Sequence, residues 1–213
     1  MRTTRLTALG AALLLAACEP AIVEPGPAEG DLAFSMHGGA EHADVMNQGG
    51  VGVYAENGAR AVRQPKGLRL SVSMPTPQPS TYVYPANPPG IVPGHPEVFT
   101  LWAFVFNHPD LCTDGICNGD DLGADADAKG SVYNVAGHPA SGRSLTLAGR
   151  LKVGQAALAP PGVEPTPLTN PAGAEIHLAV TSHGGLDPST LPGEFRSPTG
   201  NPACGCWWVA IFE

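Results

Sequence analysis

The chain has 213 residues, with 11 Lys and Arg against 19 Asp and Glu and a formal net charge of −8. That acidic balance speaks against nucleic acid as a partner and against electrostatic docking on an anionic bilayer, and it favours solubility. The chain also carries 27 Gly and 23 Pro. No window of about 11 residues keeps an uninterrupted helical apolar period, which excludes long helices.

Arg2 and Arg5 precede an apolar run, Leu6 to Ala17, that ends in small residues. This is the layout of a secretory signal segment, too short to span a bilayer. The following tetrapeptide, Leu15-Ala16-Ala17-Cys18, resembles the lipobox of bacterial lipoproteins. The resemblance implies cleavage after residue 17, acylation of Cys18 with membrane-anchoring palmitate-type chains, and an address in the cell envelope. Glu19, where Asp would act as a retention signal, implies the outer membrane in a Gram-negative cell, and otherwise the outer face of the cell membrane. Cleavage leaves nine cationic side chains against 19 carboxylates, a formal charge of −10. The expected bilayer contact is through the lipid alone.

Residues 18–30, with three Pro, three Glu and two Gly, read as a tether spanning roughly 40 Å when extended. A single domain is expected over residues 31–213, a length that can bury a sizeable core. Its strand candidates are Val51 to Asn57, then Leu68 to Met74 with clean alternation, and then Val98 to Phe106, apolar on both faces and so central. Ser131 to Val135 is a weaker pattern. Leu145, Leu147, Leu151 and Val153 share one parity across Gly149, where a bulge or bend is expected. Ala174 to Val180 and Trp207 to Phe212 complete the set. These strands predict an all-β antiparallel sandwich of immunoglobulin-like size with long Pro/Gly-rich loops. A closed barrel is the alternative. Residues 75–97 hold eight Pro, a composition that resists proteolysis and can also present a recognition surface.

With Cys18 assigned to the lipobox, Cys112, Cys117, Cys204 and Cys206 remain. An even number in an exported chain favours disulfides, with three connectivities open. Local pairs, Cys112–Cys117 and Cys204–Cys206, are preferred, and cross-linking between the clusters is the alternative.

No G-x-S-x-G elbow, H-E-x-x-H, S-x-x-K or Walker loop is present. Three candidate metal sets remain. His177 and His183 could converge with His95 or His108 on copper or zinc. Met36, His37, His42 and Met46 offer thioether and imidazole donors suited to Cu(I). Asp120, Asp121, Asp125 and Asp127 offer hard oxygens suited to Ca²⁺, although Lys129 and Ala136 break the EF-hand pattern. Each set has a plainer reading: strand-end or loop histidines, a core methionine, a solvated acidic loop. Trp207 and Trp208 are adjacent in a strand and must face opposite sides.

Residues 93–112, PGHPEVFTLWAFVFNHPDLC, with AGRLKVG and AEIHLAVTSHGG, resemble an uncharacterised family of secreted bacterial proteins. The shared pattern is Pro-Gly-His, Thr-Leu-Trp, Phe-Asn-x-Pro-x-x-Cys, then Ile-His-Leu ending in Ser-His-Gly. It covers roughly residues 90–213 and implies a fold unit. The Ile-His strand is also similar to chordin-like (CHRD) domains, which are β-rich. The sequence as a whole points to a lipid-anchored, extracytoplasmic binding or structural module rather than an enzyme, with a metal or redox protein built on a His cluster as the alternative.

Overall fold

The alternation of Leu68, Leu70, Val72 and Met74 with Arg69, Ser71 and Ser73 does what period-2 patterning requires: the four apolar side chains are buried while Arg69 and Ser73 face water. In the computed structural model the described residues are 39–47, 51–78, 96–158, 164–189, 191–196 and 207–213. The chain divides into two units, Met1–Ser35 and Met36–Glu213, and only the second contains described residues.

Eight strands run β1 (Glu41–Asn47), β2 (Val53–Gln64), β3 (Gly67–Pro75), β4 (Glu97–Phe106), β5 (Gly130–Pro139), β6 (Ser144–Lys152), β7 (Glu175–Gly185) and β8 (Trp208–Phe212). The protein is all-β and antiparallel, as expected, and its strands form one sheet of order β5-β4-β7-β8-β1-β2-β3-β6. The sheet has two four-stranded halves, β5-β4-β7-β8 and β1-β2-β3-β6. Only two residue pairs, Met46↔Val209 and Asn47↔Trp208, join β1 to β8. Inward side chains of both halves, including Leu68, Leu70, Phe99, Leu101, Val180 and Trp208, share one core. The two layers expected of a sandwich are thus halves of a single, nearly barrel-shaped sheet.

The outer strands β5 and β6 approach each other without a described ladder. β3 pairs with β6 in unbroken register from Gly67↔Lys152 to Pro75↔Ser144, so the bulge expected at Gly149 is absent. The irregularity lies across from it. Leu101 pairs with Ala136 and Trp102 with Asn134, which leaves Val135 as the extra residue of a β5 bulge. A Cβ built on Gly149 would lie 2.2 Å from the Val135 carbonyl oxygen. Glycine stands there because the seam closes on it.

Asn107, at the end of β4, fixes one end of the structure. Its amide nitrogen donates to the carbonyls of Lys129 (3.0 Å) and Pro167 (3.1 Å), and its oxygen accepts from the amides of Thr169 and Asn170. The segment held this way places Leu168, fully buried, in the shared core.

Candidate functional site

The described histidines of the first metal set, His108, His177 and His183, are not brought together. His177 and His183 both lie on β7, six residues and therefore about 20 Å apart. His177 is half-buried, with its Nε2 2.6 Å from Glu175 Oε1 and its ring edge-on to Phe106. His108 is exposed beside a short 3-10 turn, and His95 lies outside the described residues. His183 occupies a bulge of β7. Glu97 pairs with Gly185 and Phe99 with Ser182, so His183 and Gly184 together oppose Val98, and Gly184 takes a φ of 98°. The bulge aims the buried His183 ring at Thr100, with Nε2 2.5 Å from Oγ1, beneath the indole of Trp102 at 6.4 Å between centroids. This contact joins the Thr100-Leu101-Trp102 and Ser182-His183-Gly184 segments across two strands. A polar pair so deeply buried needs its hydrogen bond, and its work is to fix the bulge.

The second set lies partly on β1, a strand the sequence pattern did not reveal. His42 is exposed opposite Arg60, and Met46 is half-buried between Val53 and Val209. Met36, His37 and Cys18 are outside the described residues. In the third set, Asp121 is buried and committed to backbone: Oδ1 accepts from the Thr113 amide at 2.7 Å and Oδ2 from Asn118 at 2.9 Å. These bonds, that from Thr113 above all, hold its carboxyl below the usual range. Asp120, Asp125 and Asp127 are exposed. Among the described residues no three His, Cys, Asp or Glu side chains are disposed to share an ion.

Cys112 and Cys117 form the expected local disulfide, while Cys204 and Cys206 fall outside the described residues. The disulfide packs with Phe106, Phe104, Leu122 and Ala128 on the outward side of β4. Trp208 is buried between Tyr54 and Phe99, and Trp207 lies half-buried on the opposite side near Phe104, as adjacent strand residues must.

Two groups escaped the sequence reading. Glu97 opens β4 as an acidic residue before an apolar run. It is only 9% exposed, its Oε1 has no hydrogen-bond partner, and burial pushes its carboxyl up to about 7. The other is a cleft of about 540 Å³ at the seam, built by the β5 bulge. Asn134, Gln155, Leu158 and Phe195 contribute to its walls, with Tyr133 behind them. The Tyr133 hydroxyl reaches the Thr166 carbonyl at 3.2 Å, and burial pushes its pKa up to about 12. Asn134 donates to the Phe195 carbonyl and Gln155 accepts from the Lys152 amide. That leaves one amide acceptor on Asn134 and one amide donor on Gln155 without a partner among the described residues. Among the described residues no charged side chain lines the cleft. It therefore suits an uncharged ligand that offers hydrogen bonds and apolar surface.

Compared with known proteins, the chain matches no family model, no curated protein and no solved structure.

Proposed function

We propose that this is an exported, lipid-anchored binding module of the cell envelope, tethered through Cys18 and offering the seam cleft to an uncharged polar ligand. The observation that carries the exported half of this reading is the Cys112–Cys117 disulfide, buried against Phe106. Such bonds persist in oxidising compartments and are rare in the cytosol. The lipobox-like Leu15-Ala16-Ala17-Cys18 supplies the anchor, and the uncharged cleft, with its unpaired Asn134 and Gln155 amide atoms, supplies the binding role.

The test is made in cells fed a clickable fatty acid. The protein should take up the label and partition into detergent, and Cys18→Ser should abolish both. Thiol labelling under denaturing conditions should find Cys112 and Cys117 protected until a reductant is added. An unlabelled protein with free thiols would overturn the reading.

A further inference from the structure

Cations that look scattered along the sequence are gathered by strand pairing. Arg60 on β2 stands opposite Ser71 on β3, which stands opposite Ala148 on β6. Two residues along, Val62 faces Arg69, and Arg69 faces Arg150. All three arginines are exposed on the outward face of the sheet. They surround a shallow depression of about 300 Å³ whose lining also includes the small residues Ser71, Ala148 and Gly149.

None of these guanidinium groups has a carboxylate partner among the described residues. Among the described residues the arginine ion pair is Arg63–Glu41, and Arg60, Arg69 and Arg150 make no side-chain hydrogen bond there. Like charges directly opposite on neighbouring strands destabilise a sheet. A chain with 19 acidic residues has ample means to neutralise the Arg69–Arg150 opposition internally, and it does not. Each guanidinium presents a planar fork of donors that matches oxyanion geometry. One fork satisfies a carboxylate. Three forks around a depression whose other lining residues are Leu70, Ser71, Ala148 and Gly149 call for an ion with more acceptor oxygens and more charge.

We propose that Arg60, Arg69 and Arg150 form a binding site for a phosphate-class oxyanion. The site is separate from the seam cleft and does not depend on the lipid anchor. The phosphate group can come from a soluble ion or ester, or from a phospholipid headgroup, and the two are separated by experiment.

The probe protein is the full chain carrying Cys18→Ser, which cannot be acylated. Thermal melts are run with inorganic phosphate against chloride at matched ionic strength, and co-sedimentation with vesicles of phosphatidylglycerol against phosphatidylcholine. The expected result is a saturable, phosphate-specific rise in melting temperature, or retention on phosphatidylglycerol vesicles alone. The first identifies a soluble phosphate and the second a lipid phosphate. Arg69→Gln and Arg150→Gln should each weaken binding by about tenfold or more, as expected for a lost charge-assisted hydrogen bond. Arg69→Lys keeps the charge and loses the fork, so it should bind with intermediate affinity and serves if a Gln variant folds poorly. No saturable response to either probe would overturn the proposal, as would responses unchanged in the Gln and Lys variants.

Discussion

The two halves of the sheet share one core yet treat their outward faces in opposite ways. On β2, β3 and β6 the outward residues Arg60, Arg69, Ser73, Thr146 and Arg150 are exposed. On β4 and β7 the outward residues Thr100, Trp102, Thr181 and His183 are buried. The difference lies in what the intervening chain does. Residues 107–129 fold back over β4 and set the disulfide against Phe106, while the 191–196 turn presses Phe195 against Gly137 of β5. A strand covered on both faces must find a partner for each polar side chain, which explains the Thr100–His183 bond. A strand open on one face leaves its charges to solvent, or to a ligand.

The contrast can be broken most forcefully at Trp102. If the outward face of β4 is core, Trp102→Ala should cost about 3–5 kcal/mol in a denaturant melt, as much as Phe99→Ala on the inward face. A loss below about 1 kcal/mol would show that the cover contributes little. Next in size is the seam. Gly149→Ala forces a Cβ against the Val135 carbonyl and should destabilise by about 1–3 kcal/mol, whereas Ala148→Ser beside it should be nearly silent.

Glu97 sharpens the comparison through pH. Its carboxyl is raised from 4.5 to about 7 by burial, so the folded state favours the protonated form. Its contribution is complete below pH 4.5 and is lost as pH rises through about 7. Glu97→Gln should therefore raise the melting temperature by about 5 °C at about pH 8 and leave it unchanged at about pH 4. An equal effect at both values would assign the change to packing instead. The smallest effect belongs to the open face. Arg150→Gln should alter stability by about 0.5 kcal/mol or less, in the stabilising direction at low salt and without added phosphate.

These same contrasts decide how much could be read from the sequence. The run VFTLWAFVF announced a strand covered on both faces, and the alternation around Leu70 announced a solvated one, because local patterning carries that information. β1 was missed because EHADVMN buries only Val45, and its place is set by β8 and β2 rather than by its own apolar face. Glycine in a strand signals irregularity and so points to Gly149, yet the irregularity belongs to Val135, and the glycine accommodates it. The arginine site was illegible for the same reason. Arg69 and Arg150 become neighbours only through the β3–β6 ladder, across two intervening strands of sequence. Among the described residues the metal candidates are not gathered, because chain proximity and like chemistry do not place side chains on a common point. His177 and His183 share a face of β7 yet are separated along it.

The joint between the halves has a consequence for how the molecule is made. β8 is the last strand in chain order, yet it sits mid-sheet between β7 and β1. A chain emerging N-terminus first presents β1 to β3 early, but the described ladder that links β1 to β7 runs through Trp208–Phe212. The strand that links the β1 and β7 edges is the last of the described strands to become available, so this side of the shared core closes after the rest.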